Sequence, residues 1–260
     1  MHGTYELINS GNQPLQNIQV RVPGAEAFRH SAFVAQWNGK SIAAKTAEAA
    51  KATNLGDTIE LGFNEPWAVK QKRTLTLDYD LFTGFHLGSY LAVSESTFFV
   101  FPESWAPELS PPKHFFGTGG VPPKKWTLLV RVPSGFLVHA SGTSGKQKAI
   151  GNERLYSFLQ QRGDSAPFAA GGNYVEKEVS ANGQKVLFWT LKPVDADTAK
   201  RTADAVASRV HYYDAQYGTP TGGDHSIRLL ECITATKDFG RGALPGTIFV
   251  QQAWIARACV

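Results

Sequence analysis

The sequence predicts a mainly β protein, built of antiparallel sandwich or saddle-shaped sheets and followed by one long helix that opens an α/β region. Three observations predict it. Short runs of alternating apolar residues, bounded by turn residues, recur up to Leu191, at intervals of roughly ten to fifteen residues in the later part. Only one long segment, Asp195–Gly218, carries a helical period. Beyond it the sequence returns to strand-like runs, Ser226–Ala235 and Thr247–Gln252.

The elements follow in order. Thr4–Ile8 alternates and ends in the turn Asn9-Ser10-Gly11-Asn12. Ile18, Val20 and Val22 alternate with Gln19 and Arg21, and Pro23-Gly24 ends that strand. Phe33–Trp37 is a short strand with a turn at Asn38-Gly39. Thr46–Thr53, rich in Ala and Lys, reads as a connection or as a helical turn or two. Thr58–Phe63 alternates until Pro66-Trp67 breaks it, and Arg73–Tyr79 places Leu75, Leu77 and Tyr79 on one face. Thr97–Phe101 is continuously apolar, as a strand covered on both faces requires. A Pro- and Gly-rich stretch runs from Pro102 to Pro123. Lys125–Pro133, Phe136–Ala140, Arg154–Leu159, Tyr174–Val179 and Lys185–Leu191 complete the strand series. Val20–Pro23 and Val130–Pro133 both read VRVP, but their flanks do not match, and two strands of similar type account for it.

In the helix, Ala199, Ala203, Val206, Val210, Tyr213 and Tyr217 recur at steps of four and three, an apolar stripe about six turns long. Asp195 or Asp197 caps its start, because a short carboxylate accepts the free N–H groups there. Gly218 and Pro220 supply the stop. Ser226–Ala235 is apolar on both faces, as in a covered strand, and Lys237–Gly246 reads as a loop or tight turn.

Composition excludes several classes. The 260 residues carry 26 Lys and Arg against 22 Asp and Glu, a net charge of +4 that is scattered apart from a cluster around Lys70–Arg73. That is no nucleic-acid footprint. No apolar run approaches the ~18 residues of a membrane span, and no signal peptide is visible at Met1-His2-Gly3, a start that reads as internal to a longer protein. Cys232 and Cys259 have no zinc spacing and leave pairing and redox compartment open.

Several local patterns, taken in order, resemble peptidase family M1, the aminopeptidase N-like zinc metallopeptidases. Glu60–Tyr79 is similar to the family's strand–turn–strand ending in Tyr in its N-terminal saddle. Trp126–Gly142 is similar to a saddle strand reading L-x-V-x-V-P-x-G, and Pro167–Tyr174 to a segment reading G-x-Y. Tyr212–Gly218 resembles the end of the first catalytic-domain helix, and Ile227–Glu231 the strand after it. The resemblance covers Thr58 to Val250. It implies a β-rich saddle domain over residues 1–193 and the incomplete start of a catalytic-like α/β domain over 194–260. It implies peptide substrate or the missing catalytic domain as partner, and zinc only in a complete family member. The opening Tyr5–Asn9 resembles membrane-tethered members, which hints at an extracytoplasmic location.

Two departures limit what carries over. The family's HExxH zinc motif is absent, since no two of His2, His30, His86, His114, His139, His211 and His225 stand four apart. A catalytic zinc needs three protein ligands and an open position for water, so the chain offers neither metal ligands nor a catalytic base. The family's substrate-binding signature G-x-M-E-N falls on Gly242, Ala243 and Leu244, then Pro245-Gly246, with Pro245 where a Glu holds the substrate amine. The expected function is therefore the N-terminal part of such a peptidase, non-catalytic by itself.

Alternatives stay open at this point. One is a self-standing β-sandwich module that binds peptide or carbohydrate on Trp105, Phe115 and Trp126. Another is a scaffold relative whose peptidase site has decayed. Glu231 reads either as a pocket carboxylate or as a strand-edge residue, and His225 as a turn residue able to touch a ligand. Gly142–Lys146 fails the phosphate-loop spacing and reads as a hairpin turn.

Overall fold

A computed structural model describes residues 1–22, 33–46, 57–79, 91–100, 107–110, 125–160, 167–218, 226–231, 242–244 and 247–250. The described residues form five sheets and one helix. Sheet A runs β1 (His2–Ile8), β7 (Lys72–Asp78), β3 (Val34–Trp37), β4 (Lys40–Ser41), and sheet B runs β10 (Glu108–Ser110), β2 (Leu15–Val22), β6 (Asp57–Trp67), β5 (Ala44–Thr46). Their alternating apolar residues meet in one core. Ile18, Val20, Ile59 and Leu61 of sheet B pack with Ala35, Leu75 and Leu77 of sheet A, and Tyr79 follows directly. Asn38 and Gly39, both at positive φ, make the two-residue turn between β3 and β4 that right-twisted strands favour. Pro66 does not end its strand as the sequence suggests. β6 runs on to Trp67, and a register irregularity opposite Leu15–Asn17 absorbs the missing donor.

The remaining elements stack as four layers. Sheet D holds β11 (Trp126–Pro133), β15 (Glu153–Gln160) and β13 (Thr143–Ser144), with β14 (Lys148–Ile150) also on β15. Sheet C runs β12 (Leu137–Ala140), β16 (Ala169–Gly172), β9 (Thr97–Val100), β8 (Leu91–Val93). Sheet E runs β17 (Val175–Ala181), β18 (Gln184–Thr190), β19 (Ser226–Glu231), β21 (Thr247–Val250), β20 (Gly242–Leu244), and α1 (Ala196–Tyr217) covers its outer face. Sheet E draws β17 and β18 from before residue 193 and β19 to β21 from after it.

Sheet C is buried on both sides, which accounts for the unbroken apolar run of β9. Phe98 and Val100 pack towards Tyr156 and Phe158 of sheet D. Phe99 points the other way, towards Trp189, Leu230 and Phe249 of sheet E. In β19 the same division holds, with Leu230 against sheet C and Leu229 against the helix.

The helix caps are those read from the sequence. The Asp195 carboxylate accepts from the Thr198 N–H at 2.8 Å, and the Gly218 N–H donates to the Asp214 carbonyl at 2.9 Å with φ at 83°. The stripe is only half right. Ala199 and Ala203 are buried, together with Thr202 and Ala207, while Tyr213 and Tyr217 stand exposed and stack on each other. A helix of 22 residues is ~33 Å long, whereas the strands beneath span ~20–23 Å. The last turns of α1 therefore outrun the sheet.

Candidate functional site

The segment Gln184–Thr190, α1 and Ser226–Glu231 make a β–α–β unit, because β18 and β19 are parallel and the helix crosses between them. β21 lies parallel to β19, and β20 turns back antiparallel to β21. Gly242–Leu244 is thus a strand, not part of the loop the sequence suggests for Lys237–Gly246. Its register pairs Gly242 with Phe249, Ala243 with Ile248 and Leu244 with Thr247. It is the outermost strand of sheet E, and among the described residues nothing pairs with its outer edge. An edge of free N–H and C=O groups is a template for an extended chain. Pro245 and Gly246 lie outside the described residues.

Beside the paired residues Leu244 and Thr247 sits a half-buried polar cluster. Thr247, 1 % exposed, is the first residue of β21 and pairs in register with Arg228 of β19. Its Oγ1 lies 2.7 Å from Nε2 of His139, which projects from β12 in the facing sheet. Nη1 of Arg228 lies 2.9 Å from Nδ1 of the same imidazole. The guanidinium also sits over the Trp189 ring, 4.8 Å from its centroid, and the His139 ring meets Phe168 and Trp189 edge-on. Burial first, and the Arg228 charge second, push the His139 pKa down to about 3. The imidazole is therefore neutral. A guanidinium only donates, so Nδ1 accepts from Arg228 and Nε2–H donates to the Thr247 hydroxyl. The same Arg228 nitrogen is 3.2 Å from Nε2, but that atom carries the hydrogen given to Thr247.

Glu231 ends β19, a central strand, so it is no edge residue. It is 3 % exposed. Its Oε2 accepts the Leu191 N–H at 2.7 Å, and its carbonyl accepts the Tyr174 hydroxyl at 2.7 Å. Burial pushes its carboxyl up, against the Leu191 N–H and the Lys192 charge, which pull it down. The side chain continues the hydrogen-bonding of β18 one step past the end of the ladder.

The other sequence candidates separate. Trp126 is half-buried against the core between sheets C and D, while Trp105 and Phe115 lie outside the described residues. His211 is exposed on α1. His225, Cys232 and Cys259 lie outside the described residues. Thr143–Ser144 of the GTSGK stretch pairs with β15, and Gly142 turns at φ 88°. Among the described residues no three His, Cys, Asp or Glu side chains gather as metal donors. No described helix is long and apolar enough to cross a membrane. The sequence reading missed His139 and Arg228. Their one local signal is a polar side chain inside a strand that is otherwise apolar on both faces.

No protein-family model matches the chain, and no curated protein matches it by sequence. Solved structures do match. A point mutant of the M1 zinc metallopeptidase from Deinococcus radiodurans gives a TM-score of 0.57 at 15% identity, over 96% of this chain and 56% of that one. The mutant bound to a Tyr-Ser-Ala substrate gives 0.55 at 14%, over 95% and 55%. A two-domain M1 zinc metallopeptidase mutant bound to L-arginine gives 0.53 at 15%, over 89% and 51%. This chain therefore has the fold of the N-terminal region of M1 zinc metallopeptidases and spans about half the length of the solved chains it matches.

Proposed function

We propose that this chain is the substrate-holding front half of an M1-type metallopeptidase architecture, and that it receives an extended peptide along Gly242–Leu244. The observation that carries the reading is the place of that strand. It is the outermost strand of the sheet reached through the β–α–β unit, and it is also where the resemblance puts the substrate-binding signature. Main-chain pairing supplies affinity in such an arrangement, and neighbouring side chains supply selectivity. Pro245 offers no charge to a substrate ammonium, so the free amine is held by another group or less tightly than in the family pattern.

The reading assigns no hydrolysis to these 260 residues, since the sequence contains no HExxH. The missing catalytic domain is the natural partner, and residues 1–193 and 194–260 are the saddle and catalytic-like portions in chain order, with sheet E drawing strands from both. A titration of the isotope-labelled chain with the tripeptide Tyr-Ser-Ala tests it. Amide shifts are expected at Gly242–Leu244 and their partners on β21. No shift at millimolar peptide, or shifts confined to the Trp126 face, refutes the peptide edge. Zinc-dependent hydrolysis of aminoacyl substrates by this chain, abolished by a chelator, refutes the non-catalytic half.

A further inference from the structure

We propose that His139 is a positioning residue for the peptide edge: from the facing sheet it holds the first residue of β21, and through it the β20–β21 hairpin, in place for an incoming peptide. The inference rests on the reading of Gly242–Leu244 as the peptide strand. β20 has three residues and pairs, among the described residues, with β21 alone. A strand that short has little stability of its own. Its place is set by where β21 lies, and β21 in turn is four residues long.

Backbone pairing fixes β21 laterally, against β19. It does not fix the height of the sheet above the layer beneath. That is done by side chains, and at the hairpin end the contact is polar and directed. The imidazole donates to Thr247 and accepts from Arg228, which belongs to the residue pair Arg228–Thr247 of adjacent strands. One ring thus ties two strands of sheet E to β12 of sheet C. Apolar packing further along, between Phe249 and Phe99 or Phe168, has no comparable directional preference. Loss of the ring therefore takes from the buried Thr247 hydroxyl the bond that ties the hairpin end of β21 to the facing sheet.

Three variants separate positioning from bulk stability. Thr247→Val removes the hydroxyl at constant volume, His139→Leu removes both ring bonds, and His139→Gln keeps them. A glutamine carbonyl accepts from Arg228 and its amide donates to Thr247. The first readout is amide hydrogen exchange without peptide. In Thr247→Val and His139→Leu the amides of residues 242–244 and 247–249 are expected to exchange about tenfold faster. Those of β17 and β18 stay at wild-type rates, and His139→Gln restores the hairpin. The second readout is Tyr-Ser-Ala affinity, which falls with hairpin protection across the same series. Unchanged hairpin exchange in Thr247→Val overturns the proposal. So does an equal acceleration over all of sheet E, or a glutamine variant as exposed as the leucine one. If the wild-type chain binds no peptide, the peptide reading and the peptide half of this proposal fall together, while the exchange series still decides whether His139 anchors the hairpin.

Discussion

Lowering the pH from 7 to 5 is expected to remove about 2 kcal/mol of stability through His139 alone. The folded chain keeps this imidazole neutral, with its pKa lowered to about 3 from 6.5. The unfolded chain binds a proton there near 6.5. Between those two values the unfolded state holds more protons, so stability rises with pH and falls as acid is added. The loss begins near pH 6.5 and is complete near pH 3. At pH 5 it amounts to about 1.5 units of 1.36 kcal/mol each, about 2 kcal/mol. That figure depends on the unfolded value, because the folded one lies well below pH 5. The assay is urea unfolding followed by tryptophan fluorescence at pH 7, 6 and 5, for the wild type and His139→Gln. The glutamine keeps both hydrogen bonds and does not titrate, and every other histidine cancels in the difference. The reasoning is refuted if the difference between the two proteins is flat over this range. It is equally refuted if the wild type gains stability in acid relative to the variant, since that would mean a charged imidazole beside Arg228.

Two further outcomes follow from burial and charge. Ala203 is fully buried where α1 meets sheet E, so Ala203→Leu overpacks that seam and is expected to cost about 1–3 kcal/mol; Tyr217, 81 % exposed on the same stripe, is expected to change stability by less than about 0.5 kcal/mol when replaced by Ser, and urea midpoints compare the two. Glu231 has a carboxyl raised above its ordinary 4.5 by burial, so its contribution is present in full below that value and is lost as pH rises through the folded one. Glu231→Gln is therefore expected to be more stable than the wild type at pH 7 and to lose that advantage by about pH 4; a variant less stable than the wild type at pH 7 would show that the Leu191 N–H bond needs the charge.

The fold was legible in the sequence to the extent that period and turn chemistry are local. Leu75, Leu77 and Tyr79 alternate and are buried as expected, and Asp195 and Gly218 bound the helix. Thr97–Phe101 and Ser226–Ala235 read as strands covered on both faces, and over the described Thr97–Val100 and Ser226–Glu231 the layers on either side of sheets C and E cover them. The stripe of α1 fails past Val210, because period alone does not say how long the supporting sheet is. Pro66 misled because its missing donor falls at an irregular pairing. The M1-like order of motifs was legible and the fold agrees with it. The polar cluster was not, since His139 stands 89 residues from Arg228 and 108 from Thr247 in sequence. Only the stacking of sheet E on sheet C brings them together, and no local pattern encodes that contact.

The same stacking explains the run Ala169–Gly172, AAGG, whose four residues are all buried. β16 is an inner strand of a sheet packed on both faces, so its side chains must leave room for Phe98 on one side and the residues of sheet E on the other. A Cβ on Gly171 would come within 2.6 Å of the Phe98 ring and 2.8 Å of the Leu137 carbonyl. The ring can rotate away, but the carbonyl belongs to the neighbouring strand, so Gly171→Ala must push β12 aside. That strand carries His139, one residue from the position that pairs with Gly171. Gly171→Ala is thus expected to cost about 1–3 kcal/mol and also to loosen the hairpin amides of β20 and β21, although it touches neither strand. Exchange at 242–244 and 247–249 that stays at the wild-type rate, in a variant destabilised overall, would mean that the His139 contact follows a displaced β12 without strain. The short path from Gly171 through β12 to Thr247 would then carry no mechanical coupling.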